Sequence, residues 1–216
     1  MKHELAKRVI SSIVLIPLSL YIIIIGSFLF NSFMLICFLI TVYEWNRMKK
    51  NLFVNIFGFI LLLISFYSVY KIRYDFEGSY LYFLFVIIIC ISTDIGGFVF
   101  GKIFKGPKIT KISPKKTYSG MVGSYFLSII SIYFLLNNFY INEIIKFSFS
   151  TIIFALLISS VSQLGDIIVS YFKRHSKIKD TGKILPGHGG MLDRIDGMIF
   201  AFPFSYFIIS SYFLKW

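Results

Sequence analysis

The sequence has few charged residues: 15% of its 216 residues are Asp, Glu, Lys or Arg, whereas 57% are hydrophobic. A typical soluble domain has about 25% charged and roughly 45–50% apolar residues. So few polar side chains do not cover the surface of a water-soluble globule. The composition therefore excludes a soluble enzyme, a disordered chain and a free nucleic-acid-binding protein, and it leaves an integral membrane protein.

Cysteine is nearly absent, and acidic residues are scarce. Cys37 and Cys90 lie in apolar runs without paired spacing, so we expect neither a disulfide nor a metal role for them. The 10 acidic residues face 22 basic ones, which gives a net charge of +12. In a membrane protein this excess is typical of cytoplasmic loops near anionic lipid headgroups. A basic pocket for a phosphorylated substrate is the second interpretation.

Long apolar runs fill most of the chain. A helix needs about 20 mostly apolar residues to cross a bilayer. Seven runs are candidates: 9–27, 30–46, 52–70, 80–100, 121–138, 148–172 and 197–214. A tight turn is expected between the first two, near Gly26, Ser27, Asn31 and Ser32. Because Glu44 shortens the apolar part of the second run, that span is the least secure. The sequence thus predicts an all-α, polytopic membrane bundle of about seven helices.

The distribution of basic residues predicts the orientation of this bundle. Of the 22 Lys and Arg residues, 18 fall in loops over 1–8, 44–51, 101–117 and 173–196. Because loops rich in Lys and Arg stay in the cytoplasm, we expect the N-terminus and these loops inside and, after seven spans, the C-terminus outside. The remaining loops are short. An active site is therefore expected near the cytoplasmic face.

Two acidic residues, Asp94 and Asp166, lie inside apolar runs. A carboxylate at the membrane centre costs roughly 2.5–3.5 kcal/mol on insertion scales, so such residues usually face the bundle interior. Each lies seven residues from the cytoplasmic end of its span, which corresponds to a depth of about 10 Å. We therefore expect both at similar depth on the same side. For Asp94, substrate or ion binding and a structural polar contact both stay open.

Polar residues follow Asp166 along one helical face, because three- and four-residue spacing places side chains on the same side. They are Ser159, Ser162, Ser170 and Lys173, with Gln163 beside them. The stripe predicts a wet, polar cavity, and a hydrogen-bonded seam between helices is the alternative. Near Asp94, Gly97 and Gly101 form a GxxxG pattern that favours close helix packing.

Two basic loops carry residues that suit phosphate chemistry. The segment Ser113-Pro114-Lys115-Lys116-Thr117 combines hydroxyls, a rigid turn and two ammonium groups, which fit phosphate oxygens. Positive charge on a cytoplasmic loop is the alternative interpretation. Gly187, Gly189 and Gly190 allow backbone N–H groups to approach an anion closely. Asp193 and Asp196 follow three residues apart, on one helical face. Carboxylates among phosphate-binding cations predict a divalent metal, and their hard oxygens suit Mg²⁺.

These segments resemble the phosphatidate cytidylyltransferases, also called CDP-diacylglycerol synthases. The family's hallmark is matched over 170–196 by Ser170, Lys173-Arg174, Lys179-Asp180, Pro186-Gly187-His188-Gly189-Gly190 and Asp193-Arg194-Ile195-Asp196. Residues 163–166, 113–117 and the Asp94 region are also similar. The sequence departs from the family at Ser119, where Glu is usual, and at Gly197, where Ser is frequent. The chain is thus identified as one catalytic domain, 1–216, with N-terminal spans over 1–75 and catalytic segments over 80–216.

The resemblance implies that CTP and phosphatidic acid react to give CDP-diacylglycerol and pyrophosphate. It implies Mg²⁺, with a second, monovalent cation left open, and it assigns Asp166 and Asp193 as metal ligands with Asp196 as a weaker third. Lys173, Arg174 and Arg194 are expected to hold phosphates or the leaving pyrophosphate. The remaining substrate-binding residues are expected to be Ser113, Lys115, Lys116, Thr117, Ser170, Lys179, Asp180, His188, Gly189, Gly190 and Asp94.

The expected partners are CTP, phosphatidic acid and membrane lipids, without nucleic acid, and a homodimer stays open. The expected location is the inner membrane of a bacterium. A CTP-dependent kinase of a polyprenol-type alcohol is the nearest alternative, although an alcohol acceptor favours a general base. A CDP-alcohol phosphotransferase would show an Asp-Gly-x-x-Ala-Arg pattern, which this chain lacks. A transporter is more remote, because no internal repeat is seen and polar residues gather at one face.

Overall fold

The computed structural model describes residues 2–48, 51–76, 79–110, 112–138, 145–184 and 189–211. Its elements are α1 (Lys2–Ile25), α2 (Ser27–Arg47), α3 (Leu52–Tyr74), α4 (Ser79–Phe104), α5 (Tyr118–Asn138), α6 (Phe149–His175), α7 (Leu192–Ile195) and α8 (Met198–Ser210). Within these ranges there is no named strand, and an isolated bridge joins Lys108 to Thr117. The prediction of an all-α fold is confirmed.

Five helices, α2 to α6, are long and apolar enough to cross a membrane. Two further apolar stretches among the described residues are shorter, Leu15–Ile25 in α1 and Met198–Ser210, which is α8. Side chains at the start of the predicted span 9–27 and the end of the predicted span 197–214 lie outside the described residues. Large apolar side chains cover the outer surface, and three phenylalanines at 28, 53 and 149 are at least 77% exposed. A large apolar surface is typical of a membrane interaction site, and with five helices long enough to span a bilayer the chain is a multi-pass membrane protein.

The connection between α1 and α2 is shorter than the sequence predicts. Gly26 alone separates the two helices, whereas Asn31 and Ser32 lie inside α2. Gly26 has φ of +70°, a conformation that glycine adopts without steric cost. A side chain there would also collide with the guanidinium of Arg73. Arg73 donates hydrogen bonds to the Ile23 and Ile24 carbonyls and so satisfies orphan acceptors at the end of α1.

α4 and α5 pack with their backbones in contact. A Cβ atom on Gly96 would lie 2.4 Å from the carbonyl oxygen of Gly123, and one on Gly120 would lie 2.7 Å from the carbonyl oxygen of Gly97. The close packing predicted from Gly97 and Gly101 is therefore confirmed. This contact fixes the start of α5 against α4 and brings the segment before α5 beside Asp94.

α2 continues beyond the predicted end of its span. The helix runs to Arg47, so the predicted loop over 44–51 begins too early. Glu44 is not at a solvated helix end, because its side chain is buried with 1% exposure. The Glu44 carboxylate is therefore inside the protein although Asn46 and Arg47 are exposed, and its contacts belong to the site described next.

Candidate functional site

A polar cavity of about 370 Å³ lies where the C-terminal ends of α4 and α6 meet the start of α5 and the segment around α7. This volume is within the range of small-molecule sites, roughly 300–1,000 Å³. Its lining residues are Thr93, Asp94, Gly97, Phe98, Ile109, Ser113, Lys115, Lys116, Thr117, Gly120, Met121, Ser124, Gln163, Asp166, Asp193, Arg194 and Asp196. The cavity therefore joins four separate parts of the sequence.

Most of the predicted site residues meet in this cavity. Both predicted metal ligands, Asp166 and Asp193, line it. Four residues of the predicted phosphate-binding segment also line it, namely Ser113, Lys115, Lys116 and Thr117, as do Asp94, Arg194 and Asp196. The wall thus contains four carboxylates and three cationic side chains, which is a suitable environment for phosphate groups and a metal ion.

Lys116 ties the loop before α5 to α6. Its ammonium group lies 2.7 Å from Asp166 Oδ2 and donates a hydrogen bond of 3.1 Å to the Gln163 carbonyl oxygen. The hydroxyl of Ser170, one turn further along α6, donates to Asp166 Oδ1. Asp166 is therefore held on both oxygens, and its side chain keeps 30% exposure towards the cavity.

Lys173 lies behind the cavity wall and holds two carboxylates. Its ammonium group donates to Asp193 Oδ1 at 3.1 Å and to Asp196 Oδ2 at 3.3 Å. All three side chains are mostly buried. Burial, reinforced by the negative charge of Asp166, raises the pKa of Asp196 to about 7, while Lys173 acts in the opposite direction. Lys173 thus provides one positive charge for two carboxylates.

Backbone groups at Thr181 and Gly190 hold Asp193 in place. The backbone N–H groups of Thr181 and Gly190 donate to Asp193 Oδ2, at 2.8 and 3.1 Å. Gly189 has φ of +91°, which a residue with a side chain rarely adopts. Gly189 and Gly190 were expected to let a nucleotide approach. In the structure, the Gly190 N–H group is used to hold an acidic side chain.

Several predicted residues lie away from the cavity. Arg174 is exposed and donates to the carbonyl oxygen of Ile178, and Lys179 and Asp180 are also exposed outside the lining. Ser170 and Lys173 act through the acids that they contact. His188 lies outside the described residues.

The polar stripe of α6 has two parts. Ser159 accepts a hydrogen bond of 2.8 Å from the hydroxyl of Thr93 in α4, and both residues are buried. Gln163 and Asp166, nearer the end of α6, line the cavity. The stripe is consequently a seam between helices at its deeper end and a cavity wall at its outer end, so each of the two interpretations applies to one part.

The two departures from the family pattern have local explanations. A side chain on Gly197 would place its Cβ 2.4 Å from Ser162 Oγ, so glycine permits the close approach of this segment to α6. Ser119 donates to the carbonyl oxygen of Lys105 and shares a hydrogen bond with the Thr117 hydroxyl. Ser119 therefore braces the loop between α4 and α5 and does not line the cavity.

The sequence analysis missed Glu44. Its carboxylate accepts hydrogen bonds from the Thr181 hydroxyl and from the backbone N–H groups of Met191 and Leu192, at 2.9, 3.1 and 2.8 Å. Glu44 lies at the end of its apolar run, followed by Asn46, Arg47, Lys49 and Lys50. These residues indicated a loop, so the argument used for Asp94 and Asp166, an acid inside an apolar run, did not apply to it.

The donor set fits a magnesium ion that is shared with substrate. Within the described residues, no group of three His, Cys, Asp or Glu side chains is arranged to hold a metal alone. Mg²⁺ usually binds one or two carboxylates and completes its shell with water and substrate phosphates. A carboxylate offers about four lone-pair positions, so Asp166 and Asp193 retain acceptor capacity beside their present hydrogen bonds.

A membrane-embedded bundle whose lysine, arginine and aspartate side chains share one cavity defines a class of enzyme that handles phosphate groups at a membrane surface. A sequence model described as the cytidylyltransferase family matches residues 51–212. The chain therefore belongs to the cytidylyltransferase family and is a nucleotidyltransferase.

Individual relatives agree with this assignment. The chain is 34% identical over 212 residues to a phosphatidate cytidylyltransferase of Rickettsia typhi. This match covers 94% of this chain and 90% of the relative. Identity to the Rickettsia bellii protein of the same name is 32% over 221 residues, or 98% and 93% of the two chains. The Staphylococcus aureus (strain COL) protein of that name is 41% identical over 132 residues, 59% of this chain and 48% of the relative. The resemblance deduced from the motifs is confirmed.

Proposed function

We propose that this protein is a phosphatidate cytidylyltransferase, which transfers CMP from CTP to phosphatidic acid and releases pyrophosphate. The observation that carries the proposal is the single cavity in which Lys115, Lys116 and Arg194 meet Asp166 and Asp193. Relatives with this name over nearly the whole chain support the choice of lipid acceptor.

The chemistry joins two anions. An oxygen of the lipid phosphate attacks the α-phosphorus of CTP, and the bond from that phosphorus to the oxygen bridging the β-phosphorus breaks. Pyrophosphate leaves with the electron pair. Because the second pKa of a phosphate monoester is about 6, the nucleophile is already largely ionised at neutral pH and needs no strong general base. The cationic side chains of the cavity reduce the repulsion between the two substrates.

Asp166 and Asp193 are proposed to hold Mg²⁺, with Asp196 as a weaker third ligand. A bound Mg²⁺ supplies positive charge to the triphosphate and helps to orient it. Lys115 and Arg194 are proposed to bind phosphate oxygens directly, since both line the cavity. Lys173 keeps Asp193 and Asp196 in place from behind, and Asp94 is proposed to contact substrate or a cation, because it lines the cavity and stays accessible.

The location of the cavity suits one soluble and one lipid substrate. It lies at one end of a bundle with an apolar outer surface, so acyl chains can remain in the bilayer while CTP enters from water. We propose that this end faces the cytoplasm of a bacterium, with the protein in the inner membrane. The support is the concentration of basic residues in the loops at this end.

The orientation is tested by labelling introduced cysteines with a membrane-impermeant maleimide. Lys108→Cys, in the loop beside the cavity, should react in inverted membrane vesicles and not in intact cells. Asp75→Cys, after α3, should show the opposite pattern. Cys37 and Cys90 are buried, so the unmodified protein is the control and should label on neither side. Labelling of Lys108→Cys from outside intact cells would contradict the proposed orientation.

The reaction is tested with purified protein in detergent, given CTP, Mg²⁺ and either phosphatidic acid or a long-chain polyprenol. We expect pyrophosphate release when phosphatidic acid is the acceptor and none when the polyprenol is the acceptor. Asp193→Asn should reduce this release by at least 100-fold, because it removes a charged ligand of the proposed Mg²⁺. Asp75→Asn, at the other end of the bundle, is the matched control and should retain activity. Production of CDP and phosphorylated polyprenol would instead identify a lipid kinase.

A further inference from the structure

We propose that Glu44 is a positioning residue for the transfer reaction: its carboxylate fixes the loop that presents Asp193 to the cavity. The proposal rests on the function proposed above. Glu44 does not line the cavity, so any effect on the reaction must act through the residues that it holds.

The hydrogen bonds of Glu44 go to two stretches of the chain before and at the start of α7, Thr181 and Met191–Leu192. Glu44 Oε1 accepts from the Met191 N–H group, and Oε2 accepts from the Leu192 N–H group and the Thr181 hydroxyl. The side chain is 1% exposed. A buried carboxylate is stable only when its oxygens accept hydrogen bonds. Here Thr181, Met191 and Leu192 provide three donors to the Glu44 carboxylate.

Two glycines allow the loop to close around this carboxylate. A Cβ atom on Gly182 would come within 2.4 Å of Glu44 Oε1, and one on Gly190 would come within 2.5 Å of Oε2. Side chains at these positions would push the backbone away from Glu44. The glycine content of the segment therefore has a cause besides nucleotide access, namely the close approach of its backbone to the end of α2.

The same segment also holds Asp193. Thr181 donates its hydroxyl to Glu44 and its backbone N–H to Asp193 Oδ2. The N–H of Gly190 donates to Asp193, while the N–H of the next residue, Met191, donates to Glu44. The two carboxylates thus accept hydrogen bonds from the same two stretches of chain, Thr181 and Gly190–Leu192. A shift of these stretches away from Glu44 moves the donors that orient Asp193, and small displacements of reacting groups reduce rates strongly.

The isosteric variant Glu44→Gln tests the proposal. The glutamine amide has only one acceptor oxygen. Its NH₂ group would replace the other carboxylate oxygen and would point at an N–H or hydroxyl group that donates to Glu44 in the wild-type protein, so that donor would lose its acceptor. We expect kcat to fall about 10- to 100-fold, the usual effect of losing a residue that orients a metal ligand or other reacting group. The KM for CTP should change less than threefold, because the cavity wall that binds CTP keeps its own side chains.

Two further variants separate positioning from general stability. Thr181→Val removes the hydroxyl contact to Glu44 but keeps the N–H contact to Asp193, and it should lower kcat by a smaller factor in the same direction. Thr41→Val is the control, because Thr41 is buried one turn earlier in α2 and bonds only to carbonyls of its own helix. It should leave kcat and the KM for CTP within twofold of the wild-type values.

Backbone hydrogen exchange provides a readout that does not depend on activity. In Glu44→Gln, peptides covering 178–195 should exchange at least tenfold faster, while peptides of α4 and α5 keep wild-type rates. Wild-type exchange in this segment together with wild-type kcat would overturn the proposal. If Glu44→Gln does not fold, Thr181→Val decides by the same two measurements. An inactive wild-type protein would refute the proposed function and leave the exchange result standing, so the two failures are distinguishable.

Discussion

At the scale of single residues, the cavity is organised by lysines that hold carboxylates. Lys116 pairs with Asp166 at a partly open position, with side-chain exposures of 21% and 30%. Lys173 pairs with Asp193 and Asp196 where all three side chains are mostly buried. The first pair can rearrange when substrate arrives, because water reaches it. The second is a fixed part of the wall, since separating buried charges is costly.

Loss of Lys173 should therefore destabilise the protein. Lys173→Met leaves two buried carboxylates without their shared counter-ion and is expected to lower the free energy of unfolding by about 3–5 kcal/mol. Asp196→Asn should cost less, because Lys173 still pairs with Asp193. The measurement is thermal unfolding of the detergent-purified protein.

The control for this prediction is Lys71→Met. Lys71 forms an ion pair with Asp75 one turn away at the helix surface, so its removal should leave the midpoint of unfolding unchanged. If Lys173→Met unfolded at the wild-type temperature, the buried pair would not contribute to stability as described.

Residue-level prediction from sequence succeeded where the membrane makes polar groups conspicuous. Asp94 and Asp166 were identified because a carboxylate in an apolar run is energetically costly unless it faces the bundle interior. Both line the cavity. Glu44 was missed because it ends its apolar run next to basic residues, where a carboxylate is expected to meet water. The placement of Lys173 behind the wall, and of Arg174 outside it, depends on helix rotation and loop path, which spacing alone does not determine.

At the scale of elements, the contact between α4 and α5 sets the geometry of the cavity. Asp94 is on α4, and the segment Ser113 to Thr117 leads directly into α5. The distance between them is fixed by glycines that let the two backbones touch. Small residues at helix interfaces serve this purpose in membranes, where close packing is a main source of association.

A larger residue at this contact should separate the helices. Gly96→Leu places its side chain against the Gly123 carbonyl and is expected to cost about 1–3 kcal/mol of stability through overpacking. CTP turnover should fall as well, because the cavity widens. Thermal unfolding and activity assays in detergent measure both effects.

The neighbouring variant Ile95→Leu is the matched control. Ile95 is 50% exposed on the outer face of α4, so the substitution should change stability by less than about 0.5 kcal/mol. Equal stability of Gly96→Leu and Ile95→Leu would contradict the proposed role of the glycine contact.

Element boundaries were predicted less well than element identity. Apolar runs locate the spans because lipid requires them, but they do not mark helix ends. α2 and α4 extend to Arg47 and Phe104, past the predicted spans 30–46 and 80–100. In α2 the buried residues Glu44 and Trp45 pack this last turn against the protein. The short helix α7 has no apolar run of its own, and it forms where the loop closes on Glu44 and Asp193.

At the scale of the whole molecule, the two ends of the bundle are different. One end holds the cavity and its charged residues. Towards the other, Arg73 caps the end of α1 by donating to backbone carbonyls. This polarity matches the basic loops that were predicted to face the cytoplasm. A substrate that enters from water at one face and another that diffuses in the bilayer can therefore meet at a single site.

The most direct test of the account is to follow individual phosphorus atoms of CTP into the lipid product. Purified protein is incubated with phosphatidic acid, Mg²⁺ and CTP labelled at either the α- or the γ-phosphorus. Cytidylyl transfer predicts label in the lipid from α-labelled CTP and none from γ-labelled CTP, whose label should leave as pyrophosphate. Lipid labelled from the γ-position, or no labelled lipid from a folded protein, would contradict the proposed reaction.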